Sequence, residues 1–212
     1  MRLFDEGHDP SIRQLAKELN VTPSAIYHHF VSRAEIVQAA VELVWREILE
    51  DIFDRTGDPF TADPVDVLVA AGEATRGAFG RHYAIAPYMA ATPASDELSA
   101  GTLAIVANVF ERFGLKGTDA AEAFHAYSSF TFGTALFSAN RIAANAELDI
   151  SLVEVDRLER FRSEAQPEVA QLSSEETRTA IDGVMDLSLV DPKHDEELFA
   201  KGLRRLIESM RP

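Results

Sequence analysis

Apolar residues recur along this chain at spacings of three and four, the period of a helix with one buried face. No stretch alternates apolar and polar residues as a half-buried strand would. The pattern predicts an all-α protein. Helix-start chemistry is densest near the N-terminus. Ser11 with Gln14 and Ser32 with Glu35 have capping-box spacing, in which a hydroxyl takes a first-turn amide and the longer side chain reaches back. Thr22 followed by Pro23 reads as an N-cap and a first helical position. Gly7 suits the end of an earlier helix. The predicted helices are Met1–Glu6, Ser11–Asn20, Pro23–Phe30 and Arg33–Asp54, then Pro64–Phe79, Arg81–Ala91, Ser95–Phe113, Asp119–Ala146, Leu152–Ala165, Ser174–Leu189 and Asp195–Met210. Gly114, Gly117, Pro167 and Asp191-Pro192 punctuate them, and the turn-rich run from Thr56 to Pro64 ends the fourth.

The stretch SIRQLAKELNVTPSAIYHHFVSRAEI carries the chemistry. In its first helix Ile12, Leu15, Ala16 and Leu19 fall on one face, and Ala16 is small where a second helix must cross closely. Asn20 suits the left-handed conformation of a tight turn. Val21 is expected to plug the angle between the helices, with Ile26 and Phe30 completing the core. This is the layout of a helix-turn-helix, with Pro23–Phe30 as its recognition helix.

The face left over suits DNA. Thr22, Ser24 and Ala25 open the recognition helix, where residues reach base edges, and their short side chains allow close approach. Tyr27 and His29 can donate to phosphates, and His28 to a base or a phosphate. Arg13 can bond guanine bidentately. Ser11 sits at a helix N-terminus, where amides favour phosphate, and Arg33 opens the next helix.

The run SIRQLAKELNVTPSAIYHHF, with Arg33 where a lysine is usual, closely resembles the tetracycline-repressor (TetR) family over about residues 1–45. The remaining chain matches only in helical layout and in the ending FAKGLRRLIESM. The resemblance implies a homodimer, DNA half-sites read by two recognition helices, and a small molecule that changes their spacing from a C-terminal pocket. It places Ser11, Arg13, Pro23, Ser24, Ala25, Tyr27, His28, His29 and Arg33 at DNA-contacting positions. In the family the first helix starts well upstream, so Met1–Glu6 reads as a truncated first helix.

Charge bears on this reading. The formal net charge is −15, from 20 basic and 35 acidic residues, which by itself argues against nucleic acid. Distribution matters more than the total. Between Pro10 and Glu35 the cations Arg13, Lys17 and Arg33 outnumber Glu18 and Glu35, with His28 and His29 beside them. No cysteine is present, which excludes disulfides and thiolate metal sites and fits a reducing cytoplasm.

The boundary between a helix-turn-helix DNA-binding domain, 1–44, and a larger helical effector-binding and dimerisation domain, 45–212, is expected inside the long helix near Val44. Ala123 to Asn140 holds no charge yet is too polar for a membrane span, so it reads as a helix covered by protein on most faces. Gly133 and its small neighbours permit close helix approach, and the last helix has an apolar stripe of Leu198, Phe199, Leu203, Leu206, Ile207 and Met210. The two helices are expected to form a four-helix seam between two copies. Effector-pocket candidates are His82, Tyr83, Tyr88, Met89, Phe124, His125, Tyr127, Ser128, Thr131, Phe132 and Asn140, a few polar groups among aromatic walls. His125 leads them, as a titratable donor in an uncharged helix, while Trp45 is read as packing the domain junction. The density of Phe and Tyr suggests an apolar or aromatic effector.

No HExxH, Gly-rich phosphate loop or nucleophile elbow occurs, and adjacent His28 and His29 diverge by about 100° on a helix. No enzyme, metal or cofactor is expected. The expected function is a DNA-binding transcriptional regulator, a repressor released from its operator by a small-molecule effector. The alternative is a helical small-molecule-binding dimer with a weakened or vestigial DNA-binding domain.

Overall fold

The computed structural model describes residues 1, 4, 11–91, 96–148, 174–177, 179 and 192–211. They form α1 (Ile12–Glu18), α2 (Pro23–His29), α3 (Arg33–Thr56), α4 (Pro64–Arg81), α5 (Ala86–Ala91), α6 (Asp96–Arg112), α7 (Gly117–Leu148) and α8 (Pro192–Ser209). No strand occurs among the described residues. The expected helix Leu152–Ala165 lies outside them, as do most of Ser174–Leu189 and of Met1–Glu6.

Met1–Ala143 with Leu203–Pro212 forms one compact unit, and Ala144–Gly202 a second. In the second, Ser174 Oγ accepts from the Thr177 amide at 3.2 Å. In the first, α3 packs chiefly on α4. The buried residues of α3 run Val37, Ala40, Val41, Val44, Ile48 and Ile52, at the three-to-four spacing of one helix face. They join Phe4, Ala74, Ala78 and Phe79 of α4, Ile85, Ala86 and Met89 around α5, and Ala135 and Ala139 of α7 in one core. The core passes through Val44 without a break.

The loop after α3 is built locally and then tied from a distance. Gly57 ends α3 at a φ of 71°, which favours glycine. The Asp58 carboxylate accepts from the Phe60 amide at 3.0 Å, and Asp63 caps α4 by accepting from Val65 N at 2.8 Å. Arg112, at the end of α6, donates to the carbonyls of Pro59, Phe60 and Ala62.

Three expectations are corrected. Arg81–Ala91 is not one helix: α4 runs on to Arg81, the chain turns at His82, and α5 starts at Ala86. The stripe on α8 is mostly spent within the chain, since Phe199, Leu203 and Ile207 are buried. Leu203 fills the space beside Gly72 of α4, where any Cβ would collide with it. The uncharged α7 is covered on one face only. Ala123, Tyr127, Thr131, Ala135 and Ala139 are buried, whereas His125, Ser129, Gly133, Phe137 and Asn140 face outward.

Candidate nucleic-acid interface

The helix-turn-helix is held by its own caps. Ser11 Oγ accepts from Gln14 N at 3.3 Å while Gln14 Oε1 accepts from Ser11 N at 2.8 Å, so two orphan amides are satisfied reciprocally. α1 ends in a Schellman motif: Val21 N donates to Ala16 O at 2.9 Å and Asn20 N to Lys17 O at 3.2 Å. Asn20 takes the left-handed conformation this requires, with φ 52°. Thr22 Oγ1 then caps α2 by accepting from Ala25 N at 3.2 Å, with Pro23 in the first turn. Behind α2, Ser32 Oγ accepts from Glu35 N, and the Glu35 carboxylate accepts from Val31 N at 2.7 Å rather than closing on Ser32 itself.

α1 and α2 cross on Ala16, 2% exposed, and Ile26, 6% exposed. Leu19 and Val21 do not join that core; both are exposed. α1 stops at Glu18, so Leu19 caps the helix and leaves its buried face, and Val21 follows the turn outward.

The opposite side of α2 is open. Thr22, Ser24, Ala25, Tyr27, His28 and His29 line one surface depression. Tyr27 is 55% exposed, and Thr22, Pro23, Ser24, His28 and His29 are exposed as well. The two imidazoles stand edge-on, centroids 5.5 Å apart. Ser11 and Arg13 are exposed on α1. Short hydroxyl side chains at a helix start, flanked by a phenol and two imidazoles, form a surface of hydrogen-bond donors without a carboxylate.

A family model described as bacterial regulatory proteins, TetR family, matches residues 2–40. Residues 2–40 are thus a TetR-type N-terminal domain. No curated protein matches the chain. The match spans α1, α2 and the first turns of α3, so a TetR-type DNA-binding helix-turn-helix stands at the N-terminus and further helices follow. Arg33, expected to open α3 toward a phosphate, is half-buried in this TetR-family domain, with its Nη2 atom covered.

The expected effector residues part into separate groups. Tyr83, Tyr88, Met89 and Phe132 gather on the core shared by α3, α4, α5 and α7, and Trp45 packs there too. Tyr127 is buried elsewhere on α7, its hydroxyl donating to Leu68 O at 2.8 Å, and burial pushes its pKa well above the usual phenol value. Thr131 is buried, while Phe124 and Ser128 are half-buried. His125 and Asn140 are exposed, so the residue expected to lead the pocket does not sit inside the chain. A four-residue burial period along α7 turns both outward.

His82 has a different partner. Its Nε2 lies 2.8 Å from Glu47 Oε2, and Arg81 Nε donates to Glu47 Oε1 at 2.9 Å. The cluster ties the middle of α3 to the end of α4. No signal in sequence spacing marks it, because Glu47 lies 34 residues from Arg81 and 35 from His82. Burial pushes the Glu47 carboxyl up, but hydrogen bonds and charge from His82 and Arg81 outweigh it and hold it below its ordinary 4.5. A depressed folded-state value means the carboxylate stabilises the fold above about pH 4.5, and that this is lost as pH falls through the lowered value. Glu47→Gln should therefore flatten the acid side of a stability–pH profile followed by circular dichroism. An unchanged slope below pH 5 would contradict the clamp.

Cleft residues not anticipated from sequence are Arg55, Thr56, Ala62, Asp66, Val69, Ala70 and Glu73, between α3 and α4. Arg55 there bonds Asp51 at 2.7 Å and Glu73 at 3.1 Å.

Proposed function

We propose that this chain is a homodimeric transcription regulator of the TetR family, a repressor that leaves its operator when a small apolar or aromatic effector binds the helical region behind the helix-turn-helix. The observation that carries the reading is the open, carboxylate-free face of α2 from Thr22 to His29. Such a face fits a major groove, with Ser24 and His28 toward bases and Tyr27, His29, Arg13 and Ser11 toward phosphates. Residues 1–44 then serve as the DNA-binding domain and 45–212 as the effector-binding and dimerisation domain, in a cytoplasmic protein.

The dimer is supported by α7. His125, Ser129, Gly133, Phe137 and Asn140 make an uncharged outward stripe on a chain of net charge −15. Phe137 is 63% exposed with Arg141 over its ring at 5.4 Å, and a Cβ on Gly133 would meet nothing within 4 Å among the described residues. Small residues around one large apolar side chain suit isologous helix packing across a two-fold axis. Phe137→Glu should convert a dimer to monomer in sedimentation velocity without changing helix content. A variant of unchanged mass would refute that seam.

The reading as a whole is tested by fluorescence anisotropy of the full chain on DNA from upstream of its own gene. Binding is expected, weakening steeply with salt as counterions are released. A reporter behind that DNA should rise when the gene is deleted. Absence of specific binding at low salt would overturn the regulator reading, and a fall in the reporter would overturn the repressor assignment.

A further inference from the structure

Trp45 is the only tryptophan of the chain and lies midway along α3, the helix continuous with the DNA-binding domain. Its ring meets Phe132 of α7 edge to face, centroids 5.8 Å apart, and Phe132 in turn leans on Phe79 of α4 at 5.8 Å. Tyr83 and Tyr88 pack on the same core and, like Trp45 and Phe132, keep part of their surface open. These four rings flank the core, each half-buried. The indole Nε1 atom is shielded from solvent and has no hydrogen-bond acceptor among the described residues. Buried indole N–H groups ordinarily find a partner, because leaving one unmade forfeits the bond it had with water. Each such group in a native structure calls for an explanation.

We propose that the missing acceptor belongs to the effector, and that the effector class is a neutral aromatic carbonyl compound. Its ring lies among Trp45, Phe132, Tyr83 and Tyr88, and its oxygen accepts from Trp45 Nε1. This rests on the effector reading given above and specifies its chemistry. Neutrality follows from the surroundings. The side chains of the cluster carry no charge. On α3 the nearby Glu47 is engaged by Arg81 and His82, and Arg46 is exposed. On α4 the buried Arg76 donates to Thr134 O at 3.3 Å. A bond at Trp45 also places the ligand directly on the helix that carries the recognition helix, which is where an effector must act to move it.

The test compares acetophenone with α-methylstyrene, which has the same shape but a methylene in place of the carbonyl oxygen. Isothermal titration of the full chain should show the ketone binding about tenfold tighter, the worth of one net hydrogen bond. In Trp45→Phe the two should bind alike. Independently of any variant, the single indole N–H resonance of the wild-type protein should move downfield with acetophenone and not with α-methylstyrene. An equal preference in wild type and Trp45→Phe, or an indole resonance indifferent to the ketone, overturns the assignment. So does a wild-type protein that binds neither compound, and that result leaves the DNA-binding reading intact. Ketone binding with the expected preference but no change in DNA affinity supports the Trp45 bond while removing the effector role.

Discussion

Tyr27→Ala should weaken DNA binding by roughly 10- to 100-fold per half-site, the worth of a hydrogen bond to a charged phosphate. The loss should be similar on every DNA sequence, because a phosphate contact positions the protein without reading bases. His28→Ala, by contrast, should change the order of preference among sequences. Tyr27 is 55% exposed and packs little of its ring, so the melting temperature should hardly move. Anisotropy on several duplexes, paired with a thermal melt, separates these effects. Unchanged affinity in a well-folded Tyr27→Ala protein would remove the phenol from the interface.

The second large effect concerns stability. Phe79 is fully buried and sits where α3, α4, α5 and α7 share one core. Phe79→Ala removes its ring and leaves a cavity that Phe132, Ile85 and Ala139 cannot close without moving whole helices. The expected cost is about 3–5 kcal/mol. Urea unfolding should show a lower midpoint with the slope retained. A cost below about 1 kcal/mol would mean that the core does not meet at Phe79. Because this core runs along α3 from Val37 to Ile52, the variant should also loosen the recognition helix, which hangs from the start of α3.

What could be read in the sequence was what short stretches decide alone. The left-handed Asn20, the Ser11–Gln14 box and the Thr22–Pro23 start each depend on residues within four positions, and each stands as expected. So does the exposure of Tyr27 and His28, since Ala16 and Ile26 fix which side of α2 is inside. Long-range choices were not legible. Apolarity placed Leu19 and Val21 in the core, but the helix ended one residue too soon to carry them there. The lack of charge on α7 was read as cover on most faces. Burial there repeats every four residues, and composition alone cannot tell a face covered within the chain from one left open. His125 went outward for that reason. The Glu47–Arg81–His82 cluster and the Arg112 tie to the α3–α4 loop join residues dozens of positions apart, and only the fold brings them together.

The absence of cysteine allows the central claim to be tested directly, since a single thiol can be placed at will. An iron chelate attached to Ser24→Cys should cut bound DNA from within the major groove, at two clusters about one helical turn apart if two copies bind. The same chelate on Glu111→Cys should not cut. That residue adjoins Arg112, which is tied to the loop at the far end of α3, and the 24 residues of α3 span roughly 35 Å. Cleavage from Glu111→Cys with none from Ser24→Cys would contradict the placement of α2 in the groove.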